Sequence, residues 1–133
     1  MLLIVVLDTN VFVAAGFKRR SAAAHVIEQV RVGALRMVWH EQTRRETEHI
    51  LDKIPPLSWP KVAGLFRDED RYEGELDVRE FTYISDCDDR KYAALSEATG
   101  AILLTNDSDL LEHRDLARVA ILTPREYRER YLV

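Results

Sequence analysis

Two unbroken apolar runs constrain the fold of this chain more than any other feature. Residues 2–7 (LLIVVL) and 101–104 (AILL) lack the alternation of apolar and polar residues that marks a strand with one wet face. Such runs are typical of strands covered on both faces, as in the middle of a parallel sheet. Asp8 follows the first run directly, and Asp107 follows the second after two residues. The sequence therefore predicts a buried parallel sheet with acidic residues at one edge.

Further strands and helices alternate along the rest of the chain. The other strand candidates are residues 35–39, 78–84 and 119–122, which makes about five strands in all. This order predicts an α/β fold, a three-layer α/β/α sandwich around a mainly parallel sheet, formed as one domain over residues 1–133. Predicted helices run from the capping residue Ser21 to Gly33, over residues 41–53 before Pro55 and Pro56, over residues 88–99 before Gly100, and from Pro124 onward.

The composition indicates a globular protein of the cytoplasm. Apolar residues make up 47% of the chain and charged residues 32%, as in folded soluble domains. Cys87 is the single cysteine, so an internal disulfide and a cysteine-based zinc cluster are excluded and a reducing compartment is expected. The apolar run that starts at Met1 ends at Asp8, too short to span a membrane.

The net charge of −4 gives no general attraction to nucleic acid, so any such contact depends on local basic patches. The densest patch is Lys18, Arg19 and Arg20, which is either a clamp for phosphates or a solvated loop. Residues 67–80 mix seven acidic residues with three arginines. We interpret them as a solvated helix and loop in preference to an acidic docking site.

Acidic residues follow three of the predicted strands. In an open parallel sheet, functional groups gather outside the carboxyl ends of the strands. One strand-end aspartate alone is adequately explained as a helix N-cap. Several carboxylates at one edge repel one another, so they either take up protons or enclose a cation, and oxygen ligands favour Mg²⁺ or Mn²⁺ over zinc. The candidates are Asp8, Asp86, Asp88, Asp89 and Asp107.

The helix predicted over residues 41–53 offers one more acid. Helical geometry places Glu46 at the border of the apolar stripe and Glu48 further round, so Glu46 is the better candidate. The alternative is an ordinary exposed glutamate that pairs with Gln42 or Lys53.

Four segments in order resemble the PIN-domain nucleases, and in particular the small single-domain toxins of toxin–antitoxin pairs. They are LLIVVLDTNVFVAA, RRETEHIL, SDCDDRKYAALSEATGA and ILLTNDSDLL, and together they span nearly the whole chain. The closing segment ILTPREY is also typical of that group. The resemblance implies a PIN-like fold.

The resemblance also implies a set of site residues. The family's metal-binding and catalytic acids fall on Asp8, Glu46, Asp89 and Asp107, with Asp86 as an alternative ligand to Asp89. Asn10 and Thr105 fall where the family has supporting polar residues. Asp109 is either a further acid of the site or a cap for the turn at Leu110 and Leu111. Arg90 and Lys91, next to Asp89, are expected either to contact RNA or to neutralise the acids.

The implied activity is hydrolysis of RNA phosphodiester bonds by water activated on Mg²⁺ or Mn²⁺. Asp8, Asp89 and Asp107 would hold one ion, and Glu46 would bind a second ion or orient the attacking water. An antitoxin that covers the site with a basic side chain and a homodimer are the partners that the resemblance implies. The alternatives are a non-catalytic PIN-like module that binds a protein and a housekeeping RNA-processing nuclease.

Overall fold

The computed structural model describes residues 3–132, and its centre is a four-stranded sheet. The strands are β1 (Ile4–Leu7), β2 (Arg36–Met37), β3 (Ile102–Leu104) and β4 (Ile121–Leu122), in the spatial order β2-β1-β3-β4. All three neighbouring pairs are parallel, and Leu7 lies opposite Leu104. The predicted α/β class and parallel sheet are thus confirmed. Met1 and Leu2, part of the first predicted strand, lie outside the described residues.

Helices fill the connections between the strands. The α-helices are α1 (Thr9–Phe17), α2 (Ala22–Arg31), α3 (Glu41–Asp52), α4 (Pro60–Ala63), α5 (Arg90–Thr99), α6 (Ser108–Glu112) and α7 (Pro124–Tyr131). Ser21 caps α2 by accepting a hydrogen bond from the amide of Ala24, as its position predicts. Gly100 ends α5 with a φ of +74°, a left-handed conformation that a glycine adopts without strain. Short 3-10 turns lie at Asp68–Asp70, Arg79–Phe81 and Arg114–Leu116.

Side chains of successive residues in β1 enter two separate cores. Val5 and Leu7 pack with apolar residues of α1 and α2 on one face, together with Tyr127 of α7. Val6 packs on the other face with α5 and with Leu110 of α6. A strand between two helical layers must be apolar on both faces, which is why the run at residues 2–7 is continuous. The layers are therefore those of the predicted α/β/α sandwich.

The prediction of a fifth strand at residues 78–84 is wrong. Arg79–Phe81 forms a 3-10 turn, and Phe81 and Ile84, three residues apart, point into the same core. The guanidinium of Arg90 donates to the carbonyls of Ile84 at 2.9 Å and Thr82 at 3.2 Å. In a strand, these carbonyls would accept hydrogen bonds from the backbone of a neighbouring strand, but here they accept them from a side chain. The aromatic and β-branched composition of the segment therefore does not produce a strand.

The acidic stretch at residues 67–80 is mostly exposed, with one buried exception. Asp70 is only 6% exposed and accepts a hydrogen bond of 2.8 Å from Nε of Arg36. The segment therefore contains a short 3-10 helix and loops, as predicted, but it is attached to β2 by this ion pair.

Candidate metal centre and its comparisons

Asp8, Asp89 and Asp107 lie together at the carboxyl edge of the sheet. Asp8 follows β1, and its amide donates to the carbonyl of Leu104 at 3.0 Å, which places it beside the chain that leaves β3 towards Asp107. Helix α5 returns the chain to the start of β3, so its N-terminal end, at Asp89, lies at the carboxyl edge. The topology thus brings three distant parts of the sequence to one place.

The three aspartates are close enough to share one ion. One carboxylate oxygen from each lies within 4.8 Å of the corresponding oxygens of the other two. Asp8 and Asp89 are buried, with exposures of 4% and 8%, and Asp107 is half-buried.

Helix capping does not account for this cluster. Asp8 and Asp89 precede α1 and α5, but neither carboxylate forms an N-cap hydrogen bond with a backbone amide of its helix. Only Asp107 acts as a cap, by accepting a 2.9 Å hydrogen bond from the amide of Asp109. Burial of two carboxylates without this compensation is costly, which is the situation that a bound cation relieves.

Burial and neighbouring carboxylates raise the pKa of two carboxyl groups in the cluster. Burial is the main cause for Asp8, whose pKa rises to about 6 although the hydrogen bond from Thr105 opposes the shift. Burial also leads for Asp89, and with the hydrogen bond and charge of Asp107 it raises the pKa of Asp89 to about 8. At neutral pH Asp89 therefore favours its protonated form, and a positive neighbour would stabilise the ionised form of both carboxyl groups.

Asp89 also carries an oxygen that lacks a hydrogen-bond partner. Its Oδ2 atom is buried, and no donor in residues 3–132 reaches it. Buried carboxylate oxygens are normally hydrogen-bonded, so an orphaned one in an acidic cluster has the chemistry of a metal ligand. The donor set is three carboxylates and is all oxygen, which fits Mg²⁺ or Mn²⁺.

Glu46 lies beside the cluster on α3 and raises the pKa of Asp8 through its charge, but it is outside the three-aspartate group. Its Oε1 atom accepts a 2.8 Å hydrogen bond from the ammonium of Lys91, and its Oε2 atom accepts a hydrogen bond from the hydroxyl of Tyr92. Neither Gln42 nor Lys53, the alternative partners, forms a side-chain hydrogen bond or an ion pair with Glu46. Glu48 instead pairs with Arg44, so the two glutamates lie in different surroundings, as helical geometry predicts.

Two polar residues hold Asp8 in place. The hydroxyl of Thr105 donates a 2.8 Å hydrogen bond to Oδ2 of Asp8, and the side-chain amide of Asn10 donates a 3.2 Å hydrogen bond to the same atom. The carbonyl oxygen of the Asn10 side chain accepts from the amide of Asn106, and Thr105 accepts from the amide of Asp107. Asn10 and Thr105 thereby connect the chain after β1 to the chain after β3.

Sequence reasoning missed a buried chain of hydroxyl groups behind Glu46. The hydroxyl of Thr9 lies 2.8 Å from that of Thr47 and 2.8 Å from that of Tyr92, and Tyr92 reaches Glu46. Tyr92 is fully buried, and Thr47 is 1% exposed. The available signal was Thr47 itself, a hydroxyl on the apolar stripe of α3, because a buried polar group requires a partner.

The remaining candidates lie at the margin of the site or away from it. Asp86 is exposed and accepts from the amide of Asp88, so Asp89 and not Asp86 joins Asp8 and Asp107. Asp86, Cys87 and Asp88 form a separate exposed group. Asp109 lies inside α6, whose N-terminus Asp107 caps.

The basic candidates divide in the same way. Lys18, Arg19 and Arg20 are exposed and follow the C-terminal end of α1, about 14 Å along that nine-residue helix from Asp8. Arg90 is engaged with the carbonyls of Thr82 and Ile84. Lys91 alone pairs with one of the predicted acids.

The sequence matches no family model and no curated protein. The structure does match solved structures across nearly its whole length. The crystal structure of PAE2754 from Pyrobaculum aerophilum matches with a TM-score of 0.59 and 18% identity over 96% of this chain and 88% of that chain. The crystal structure of VapBC2 from Rickettsia felis, bound to a DNA fragment from their promoter, matches with a TM-score of 0.58 and 15% identity over 90% of this chain and 97% of that chain.

The chain has a PIN-like fold. The prediction of the fold from the sequence resemblance is therefore confirmed, with four strands in place of five. In this PIN-like fold the aspartate cluster lies where β1, β3 and α5 converge. Among the described residues 3–132, no helix is long and apolar enough to cross a membrane.

Proposed function

We propose that the protein is a ribonuclease that requires Mg²⁺ or Mn²⁺ and hydrolyses RNA phosphodiester bonds as the toxin of a cytoplasmic toxin–antitoxin pair. The observation that carries this proposal is the convergence of Asp8, Asp89 and Asp107, with oxygen atoms within 4.8 Å of one another. Asp8 and Asp89 are buried, and among the described residues none of the three aspartates has a cationic side chain at contact distance, which favours a divalent ion as the missing partner.

Each residue of the centre has a defined part in this proposal. Asp8, Asp89 and Asp107 hold the ion, and Thr105 and Asn10 fix the orientation of Asp8. When bound, the ion lowers the pKa of water and offsets the negative charge of the phosphate. Glu46, at the border of the centre, binds a second ion or orients the attacking water. The acidic edge repels an RNA backbone in the absence of the ion, so RNA binding at the centre is expected to depend on the cation.

The proposed partner is an antitoxin. The likeness of fold to VapBC2, which binds a DNA fragment from its promoter, supports a toxin that acts within such a complex. A basic side chain of the antitoxin would satisfy the same carboxylates as the ion, and a homodimer of the toxin is expected from the sequence resemblance. Co-expression with a candidate antitoxin followed by size-exclusion chromatography with light scattering measures both assemblies.

Cleavage of mixed-sequence RNA oligonucleotides tests the activity. The wild type is expected to cleave RNA with Mn²⁺ and to stop when a chelator is added. Asp8→Asn is expected to reduce the rate on the order of 100-fold or more, since even partners behind metal ligands contribute 10–100-fold. The matched control is Asp52→Asn, which removes an exposed carboxylate from the end of α3 and should leave the rate unchanged. A non-catalytic binding module would show no cleavage that Asp8→Asn removes.

A further inference from the structure

Both oxygens of Glu46 are already engaged by groups of this chain. Oε1 accepts 2.8 Å from the ammonium of Lys91, and Oε2 accepts from the hydroxyl of Tyr92 and, at 3.5 Å, from that of Thr9. A carboxylate that acts as a metal ligand must offer a free lone pair to the ion. Oε1 keeps a second lone pair, but a divalent ion bound there would lie beside the ammonium of Lys91.

Lys91 is held in this position by more than its charge. Its ammonium also donates 2.6 Å to the carbonyl of Asp88 and lies 5.3 Å from the centre of the Tyr92 ring. Its side chain is 14% exposed, whereas most lysine side chains extend into solvent. Because Lys91 follows Asp89 by two residues at the start of α5, the backbone that places Asp89 in the cluster also places this ammonium at Glu46.

The charges divide the four acids into two groups. Among residues 3–132, Lys91 is the cationic group within ion-pair distance of any of them, and its partner is Glu46. Asp8, Asp89 and Asp107 have no such partner in the described chain, and Asp89 retains an orphaned oxygen. The structure thus neutralises Glu46 internally and leaves the three aspartates unneutralised. A second divalent ion beside the ammonium would meet like-charge repulsion in a half-buried site.

We propose that Lys91 takes the place of a second divalent ion, so that the centre holds one ion per chain at the three aspartates. Lys91 is then a positioning residue. Together with Tyr92 and Thr9, it holds Glu46 outside the coordination sphere of the ion at the aspartates. This inference rests on the proposed metal centre, and it selects between the two roles open to Glu46. Glu46 remains available to accept a hydrogen bond from water at the border of the centre.

Counting bound Mn²⁺ by calorimetric titration and by paramagnetic resonance of the free ion tests this proposal. The wild type is expected to bind one Mn²⁺ per chain. Lys91→Met removes the ammonium and keeps the aliphatic stem, so the count should double to two, and the added Glu46→Gln change should return it to one. Lys91→Arg keeps the charge and should stay at one. Lys53→Met, which removes an exposed lysine at the end of α3, is the matched control and should also stay at one.

A wild-type count of two, or a count of one in folded Lys91→Met, would overturn the proposal. If Lys91→Met does not fold, anomalous diffraction from wild-type crystals soaked in Mn²⁺ decides. A peak in contact with Glu46 contradicts the proposal, and a single peak confined to the aspartates supports it. The count is independent of RNA cleavage. A protein that binds one ion without cleaving RNA would refute the proposed function and leave this inference intact.

Discussion

The hydroxyl of Thr105 donates a 2.8 Å hydrogen bond to Oδ2 of Asp8, across 97 residues of sequence. Both residues follow the last residues of adjacent parallel strands, since Leu7 lies opposite Leu104. The bond lowers the pKa of Asp8 against the effect of burial, so it favours the ionised carboxylate that a metal ligand requires. The pairing of β1 with β3 therefore places Thr105 where its hydroxyl lowers the pKa of Asp8.

Thr105→Val tests this link because it removes the hydroxyl and keeps the shape. The amide of Asp107 and Oδ2 of Asp8 each lose a partner, so we expect the free energy of unfolding to fall by about 1–3 kcal/mol. Mn²⁺ affinity should fall as well, by roughly 10-fold. Urea denaturation and calorimetry measure the two effects. Thr82→Val, at an exposed hydroxyl, should change neither, and an unchanged Mn²⁺ affinity in Thr105→Val would count against the link.

Asp89→Asn should stabilise the protein when no divalent ion is present. The change removes one buried charge from a cluster in which burial and neighbouring carboxylates raise the pKa of Asp8 and Asp89. We expect a gain of about 1 kcal/mol at pH 8, or roughly 4 °C in Tm for a chain of this size. The same variant should lose the stabilisation by Mn²⁺ that the wild type shows. Thermal unfolding with chelator and with Mn²⁺ measures both effects. A lower Tm for Asp89→Asn than for the wild type in chelator would show that the charge of Asp89 does not destabilise the protein.

The pH dependence of stability follows from the direction of these shifts. Asp8 and Asp89 have native pKa values of about 6 and about 8, above the ordinary value of 3.8. At a pH between the ordinary pKa and the native pKa, each of these carboxyl groups is more protonated in the native state than in the unfolded chain. The free energy of unfolding therefore falls as pH rises from about 4 to about 8. Urea denaturation in chelator should give a higher free energy of unfolding at pH 6 than at pH 8. The slope should be shallower in Asp89→Asn, and equal slopes would refute the assignment.

Tyr92→Phe tests the hydroxyl chain behind Glu46. Thr9 retains Thr47 as a partner, but Oε2 of Glu46 loses its nearer donor and keeps only the 3.5 Å contact with Thr9, so we expect a cost of about 1–2 kcal/mol and slower cleavage of RNA. Tyr127→Phe is a matched control, because Tyr127 is also fully buried and its hydroxyl has no hydrogen-bond partner within residues 3–132. It should be neutral or stabilising. Equal costs for the two variants in urea denaturation would show that the contact with Glu46 contributes nothing.

Asp70→Asn tests the ion pair that attaches the acidic segment to β2. Asp70 is buried and Arg36 is half-exposed, so replacing the carboxylate leaves a guanidinium that water can still reach. We expect a loss of about 1–3 kcal/mol, with most of it retained at high salt because the carboxylate is buried. Asp68→Asn, two residues earlier and exposed, should change stability by less than about 0.5 kcal/mol. Similar losses in both variants would contradict the special position of Asp70.

The sheet was predictable where burial on both faces removes polar residues from a strand. Residues 4–7 and 102–104 follow this rule, and the acids that follow them were located by it. Residues 78–84 did not follow it, because their apolar residues are spaced three apart at Phe81 and Ile84 and the backbone is satisfied by Arg90. That arginine lies beyond the segment, so local composition cannot reveal the contact.

The acids of the centre were predictable, but their partners were not. Strand ends and the sequence resemblance selected Asp8, Asp89 and Asp107, and helical geometry separated Glu46 from Glu48. The pair between Glu46 and Lys91 joins residues 45 apart, and the contact between Glu46 and Tyr92 joins residues 46 apart. These contacts depend on how α3 and α5 approach each other, which the periodicity of either helix leaves undetermined.

Anomalous diffraction from crystals soaked in Mn²⁺ tests most directly whether Asp8, Asp89 and Asp107 share one cation. We expect a peak in contact with a carboxylate oxygen from each of the three, including the orphaned Oδ2 of Asp89, and no such peak in crystals of Asp89→Asn. A wild-type map without density between the three aspartates at saturating Mn²⁺ would contradict this expectation.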